Sequence, residues 1–177
     1  MTRSLKSPGL ILSISALSLA LLTGCSTDGG APSDSPRGDS TSSSTNESGA
    51  NMPKVSGAAN EAPTISAPTG NPPADLVTED VIEGSGKAAV ADSTLTVHYT
   101  LMAWSTGQVV ESSWAGEPAT FGLNQVITGW QQGIPGLKEG GRRLLVIPPS
   151  LGYGEAGGGP IGPNETLIFV VDLIKVS

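Results

Sequence analysis

From Thr94 to Leu101 the chain reads TLTVHYTL, and apolar and polar residues alternate without a break. Leu95, Val97, Tyr99 and Leu101 point one way, while Thr94, Thr96, His98 and Thr100 point the other. A period of two is that of a half-buried antiparallel strand, so the fold must supply a sheet with a core on one face. Leu144 to Ile147, stopped by Pro148-Pro149, and Leu167 to Val176 predict two further strands, the second of them long. Val109-Val110 and Phe121-Gly122-Leu123 predict shorter ones. Between them lies VITGWQQGIPG, Val126 to Gly136. Thr128 is a candidate N-cap and Pro135-Gly136 a stop, so only about two helical turns fit there. Ile127, Trp130 and Ile134 share one face of that helix. Several strands with glycine-rich turns and one short helix across them make an α+β arrangement with a single core.

All aromatic residues lie beyond Ala74, and this distribution sets the domain boundaries. Residues 74–177 are the expected folded domain, long enough for one small core. Ser26 to about Pro73 is Ser-, Thr-, Gly-, Asn- and Pro-rich, with Met52, Val55 and Ile65 as its only large apolar side chains. Such a composition buries too little surface to offset its ordering entropy, so residues 25–73 read as a tether, stiffened toward its end by Pro63, Pro68, Pro72 and Pro73. As a random coil it would reach about 40 Å. Residues 1–24 read as an export signal: Arg3 and Lys6, then the uncharged apolar run Gly9 to Leu22, too short for a comfortable membrane span. That run ends in LLTGC, which resembles the lipobox of bacterial lipoproteins and predicts cleavage before Cys25 and acylation there. The chain would then be exported and lipid-anchored at the outer face of the cytoplasmic membrane. As the one cysteine of the chain, Cys25 leaves no partner for an internal disulfide, and the alternative to acylation is a free or intermolecular thiol.

The chemistry available in 74–177 is narrow. One histidine and no further cysteine exclude Cys-His catalysis and a His/Cys metal cluster by inventory, so neither metal nor cofactor is expected. His98 has no Gly-x-Ser-x-Gly elbow to serve and reads as a structural histidine. GGGPIG, Gly157 to Gly162, has the spacing of a dinucleotide loop but neither the preceding strand nor the following helix, and GSGK, Gly84 to Lys87, is an incomplete phosphate loop. A formal net charge of −7 without basic clusters argues against nucleic acid. Arg142-Arg143 reads as a solvated strand start. What remains is an aromatic and aliphatic surface without acids, bases or metals. Trp130, set between a glycine and two glutamines, is either a core tryptophan or the floor of a pocket.

VHYT (Val97 to Thr100), the run GQVVESS (Gly107 to Ser113), VITGW (Val126 to Trp130), GLKEGGRRLLVIPPSLGYG (Gly136 to Gly154) and IGPNETLIFVVDL (Ile161 to Leu173) together resemble, in order and spacing, the FKBP-type peptidyl-prolyl isomerases. The resemblance runs through nearly all of Asp75 to Ser177. It implies a twisted antiparallel sheet wrapped over the short helix, an enzyme that accelerates rotation of X-Pro bonds in exported polypeptides, no cofactor, and a monomer.

Carried onto this chain, the resemblance makes Trp130 the floor of a proline pocket. Tyr99, Phe169, Val126 and Ile127 become its walls, and Ile161 lies on a loop that closes over the peptide. Tyr153 would donate its hydroxyl to a substrate carbonyl, the Ile127 amide would take another, and Glu111 would stand beside the pocket where the family usually has aspartate. Val110 replaces a pocket phenylalanine, Ala119 a common aromatic and Leu101 a glycine, which predicts a pocket wider or shallower on one side. Those departures also frame the alternative, a non-catalytic FKBP-like chaperone or binding module. Retention of Tyr99, Ile127, Trp130, Tyr153 and Phe169 favours the enzyme.

Overall fold

The computed structural model describes residues 52–177. The export signal, Cys25 and the first part of the expected tether lie outside the described residues. Among them eight strands and one α-helix follow in order: β1 (Val55–Ser56), β2 (Thr64–Ile65), β3 (Val77–Ile82), β4 (Thr94–Ala103), β5 (Gln108–Ser112), β6 (Ala119–Gly122), α1 (Thr128–Gly133), β7 (Arg142–Ile147) and β8 (Leu167–Val176). Six strands form one antiparallel sheet in the order β3-β7-β8-β4-β5, and β6 pairs with the other half of β4. With α1 laid on one face, this is the expected α+β fold.

The alternation that begins β4 decides which face is which. Leu95, Val97 and Leu101 join Leu145, Ile147, Leu167, Phe169, Val171 and Leu173 on the inner face, where Trp130, Ile134 and Leu137 from the helix and its exit meet them. The helix sits very close. A Cβ added at Gly129 would stand 2.4 Å from Ile147 Cγ2, and one at Gly133 2.4 Å from Leu145 Cδ2. Two glycines one turn apart therefore let α1 lie on β7 and press Trp130 into the core. Thr128, the expected N-cap, is instead the first helical residue; the capping position falls on Ile127, which has no side chain able to cap. From within the helix, Gln131 Nε2 donates to Val126 O at 2.7 Å and ties the entering chain to α1. At the other end, Arg143 Nη1 donates to Gly133 O at 2.8 Å while its Nε pairs with Asp80 at 2.6 Å.

The outer face differs from the sequence expectation. Met102, Trp104, Leu144, Val146, Ile168 and Val170 are buried there, covered by Met52, Val55 and Ile65 from the stretch read as tether. Residues 52–73 are therefore ordered, and the boundary expected at residue 74 is not where packing begins. β1 and β2 pair as a small separate hairpin, Val55 opposite Ile65. Trp104 Nε1 donates to Gly70 O at 3.3 Å further along. The hairpin is also held by Arg142, which is 0 % exposed rather than solvated. Its Nε donates to both Asp172 carboxylate oxygens at 2.9 Å, while Nη2 donates to Glu61 O at 2.6 Å and Nη1 to Gly57 O at 3.2 Å. A short apolar-poor segment can be ordered this way because the sheet already presents the apolar surface and the arginine supplies donors for its turn carbonyls.

Candidate active site

At the open side of the inner core lies a cavity of about 350 Å³, lined by Tyr99, Leu101, Glu111, Ala119, Phe121, Gln125, Val126, Ile127, Trp130, Tyr153 and Phe169. Each wall follows from an element already described. Tyr99 and Leu101 continue the inward set of β4, and Phe169 is the inward residue of β8 opposite Leu101. Ala119 and Phe121 pair with Val97 and Leu95 and so face inward too. Val126 and Ile127 are the extended residues that lead into α1, and Trp130 stands one turn further on.

The aromatic rings meet edge to face around Trp130. Its ring centroid lies 5.2 Å from that of Phe169 at 89°, 5.3 Å from Phe121 at 66° and 6.0 Å from Tyr99 at 84°. Such arrangements set the positive edge of one ring against the negative face of the next, which fixes the box without filling it. Trp130 is only 4 % exposed. It is core and cavity floor at once, so the two readings open from the sequence do not compete.

Seven of the nine residues given site roles from the sequence converge here, Tyr99, Glu111, Trp130, Tyr153, Phe169, Val126 and Ile127, and Leu101 and Ala119, named there as departures from the family pattern, line it with them. Val110 and Ile161 are not among the residues that line it. Ile161 is buried in the inner core, on a turn closed by reciprocal hydrogen bonds with Gly158 at 2.9 and 3.0 Å. Val110 packs on that core at a β-bulge: Leu101 pairs with Glu111 but Met102 pairs with Val109, leaving Val110 unpaired. The extra residue lets both Val110 and Glu111 lean inward, where strict alternation would have sent one of them out. Phe121 and Gln125 were missed from the sequence. The alternation of β6 carries the signal for Phe121 once its pairing with β4 is known, whereas nothing local marks Gln125.

The polar groups at the mouth are few. Tyr99 donates its hydroxyl hydrogen to Glu111 Oε1. Burial first, and then the hydrogen bond and charge of Glu111, push the Tyr99 phenol up to about 12, so it stays protonated across the physiological range. Tyr153 stands at the rim, 42 % exposed. The Ile127 N–H makes no hydrogen bond among the described residues, whereas its carbonyl accepts from Trp130 and Gln131.

Behind the wall, His98 Nδ1 lies 3.0 Å from Ser113 Oγ and the imidazole stacks on Trp114 at 4.2 Å and 17°. The same Oγ accepts from the Tyr99 backbone N–H at 2.9 Å, so Ser113 ties the chain after β5 to β4. His98 is structural, as its sequence setting indicated. Among the described residues no cluster of His, Cys, Asp or Glu could hold a metal ion.

A family model described as FKBP-type peptidyl-prolyl cis-trans isomerase matches residues 85–174. An FK506-binding protein of Streptomyces anulatus is 52% identical over 121 residues, which span 66% of this chain and 98% of that one. The chain belongs to the FKBP-type peptidyl-prolyl cis-trans isomerases. A probable FK506-binding protein of Corynebacterium glutamicum is 46% identical over 116 residues, covering 65% of this chain and 98% of its own. Among solved structures, FkpA from Escherichia coli superposes with a TM-score of 0.55 at 42% identity, over 58% of this chain and 48% of that chain. The peptidyl-prolyl cis-trans isomerase from Pseudomonas syringae superposes with a TM-score of 0.54 at 30% identity, over 58% of this chain and 75% of that chain. The reaction of this FKBP-type enzyme is accordingly cis-trans isomerisation of peptide bonds preceding proline, and the cavity around Trp130 is its candidate active site.

Proposed function

We propose that this isomerase acts by desolvating the X-Pro bond against Trp130, and that it does so on exported polypeptides while anchored at the outer face of the cytoplasmic membrane. Rotation of a peptide bond is opposed by a barrier of about 18–20 kcal/mol because the planar amide is resonance-stabilised. At the twisted midpoint conjugation is lost and the carbonyl dipole falls, so water favours the planar ground state more than the midpoint. The aromatic box withdraws that solvation, and binding energy from the flanking peptide holds the turned shape. Trp130 is the floor, and Tyr99, Phe169, Val126 and Ile127 are the walls. Tyr153 and the Ile127 N–H donate to substrate carbonyls, and Glu111 holds the Tyr99 hydroxyl away from the bond. No proton transfer or covalent intermediate is required.

The observation that carries this mechanism is the edge-to-face packing of Trp130 on Phe169 and Phe121 beneath an open cavity whose one acid-base contact, Tyr99 with Glu111, keeps the phenol protonated. Its test is proline-isomerisation kinetics on the purified full chain with short X-Pro peptides. Replacing Trp130 by Ala lowers kcat/KM by roughly tenfold or more, equivalent to about 1.4 kcal/mol of lost transition-state stabilisation. Trp130→Phe, which preserves an aromatic floor, retains a larger share, and circular dichroism confirms that each variant folds. Equal activity in all three would refute the pocket assignment. No acceleration by the folded wild-type chain would leave a tethered binding module.

The cellular setting rests on LLTGC at Leu21 to Cys25, which supports acylation of Cys25 after cleavage. Anchored there, a monomeric isomerase would meet proline-containing chains as they emerge from export.

A further inference from the structure

Behind the loop that carries Tyr153 lies a second concavity, formed in part by the stretch that composition marks as tether. Residues 68–74 face the exits of β4 and β7 and the entry of β8 across it. One half, of about 480 Å³, runs between Pro72 and Pro73 on one side and Pro148, Pro149 and Glu155 on the other. The second half, of about 600 Å³, continues past Pro68, Trp104, Pro163 and Glu165. Pro72, Asn164 and Thr166 line both halves, so the two form one trough. Its walls are stiff, because each proline has φ fixed by its ring and little is left to order on binding. Trp104 fastens one wall: Nε1 donates to Gly70 O at 3.3 Å and the backbone N–H to Thr166 O at 3.0 Å. The Asn164 N–H fastens the other, donating to Gly154 O at 3.0 Å. Glu165 is held by the Ser105 N–H at 2.9 Å and Oγ at 2.6 Å, and Glu155 is exposed. No lysine, arginine or histidine lines either half, so the only formal charge in the trough is negative.

The trough and the catalytic cavity share a wall. Tyr153 lines the cavity, and Gly154, the next residue, lines the trough. A polypeptide leaving the cavity over Tyr153 reaches the trough within a few residues, since an extended residue spans about 3.3 Å. Resting on the isomerase reading above, we propose that the trough is an exosite for the client chain itself, taking an extended segment that flanks the bound X-Pro bond. Apolar side chains of that segment lie against the proline walls, and a lysine or arginine pairs with Glu155 or Glu165. Asn164, exposed where the two halves meet, offers a carboxamide whose donors and acceptor match a peptide group. Only clients long enough to span both sites gain from it; a tetrapeptide in the cavity does not.

The test compares kcat/KM of the full chain on an X-Pro tetrapeptide and on a longer peptide of roughly sixteen residues with the same centre, extended on both sides by leucine and lysine. The longer peptide is favoured by roughly five- to tenfold, through a lower KM, the scale of partly burying one apolar side chain. Ala74→Trp, which fills the trough, and Glu155→Lys, which reverses its charge, bring that ratio toward one and leave the tetrapeptide rate unchanged. Asp92→Lys, a charge reversal on the exposed turn before β4, keeps the ratio. A proline-free version of the extended peptide inhibits turnover of the long substrate and spares the tetrapeptide. Circular dichroism confirms that each variant folds. A wild-type ratio of one overturns the proposal, as does a ratio that survives both trough variants, one that collapses in Asp92→Lys, or equal inhibition of both substrates. No acceleration of either peptide would count against the isomerase reading instead. Binding of the labelled proline-free peptide, lost or kept in Ala74→Trp, then still decides the trough.

Discussion

The hydroxyl of Tyr99 and the carboxylate of Glu111 face each other across β4 and β5, and their bond makes a prediction about protons. The tyrosine is shifted from 10.0 to about 12, chiefly by burial and then by its acidic partner. A raised folded-state value means that protonated Tyr99 contributes its full stability below the ordinary tyrosine range. That contribution is lost as pH rises from about 10 through about 12. The chain has two tyrosines, so Tyr153→Phe isolates the one of interest. Absorbance titration of that variant is expected to show a midpoint near 12, moving down when Glu111→Gln is added. An unchanged midpoint would show that the two groups do not interact in solution. The same scale explains why Trp130 was ambiguous in the sequence: a tryptophan 4 % exposed satisfies every criterion for core while still presenting an edge to a cavity.

Among the elements, the hairpin of β1 and β2 carries the largest departure from expectation. Its apolar content, Met52, Val55 and Ile65, is too small to fold alone, and composition correctly reports that. What composition omits is the demand from the other side. The runs RRLLVI and LIFVVDLIKV in β7 and β8 are apolar on both faces, which in a sheet means that both faces are covered. With α1 on only one face, something had to cover Leu144, Val146, Ile168 and Val170 on the other, and residues 52–73 do so. Arg142 joins that cover to the sheet. Replacing it by Ala leaves the Asp172 carboxylate buried without its partner and the carbonyls of Gly57 and Glu61 without donors. Chemical denaturation should therefore show a loss of about 3–5 kcal/mol, with binding of a hydrophobic dye as the outer face opens. A loss below about 1 kcal/mol, as at an exposed ion pair, would contradict the buried assignment.

For the whole molecule the remaining expectation is its attachment. In a cell whose envelope processes lipoproteins, Cys25→Ser is expected to move the protein from the membrane fraction to the soluble one while isomerase activity per molecule stays the same. Equal partition of wild type and variant would remove the anchor. Much of the architecture was legible without coordinates: the period of two in β4, the proline stops after Ile147 and Ile134, and the spacing that sets Ile127, Trp130 and Ile134 on one helical face are local properties of the chain. The family resemblance added the residues that gather at the cavity. Tertiary structure alone decided three matters. It turned Glu111 and Val110 to one side through a bulge, because register depends on the partner strand. It buried Arg142, because the carbonyls that satisfy it come from a turn more than eighty residues away. And it ordered residues 52–73, because a segment with little apolar surface of its own folds when another element offers the surface it lacks.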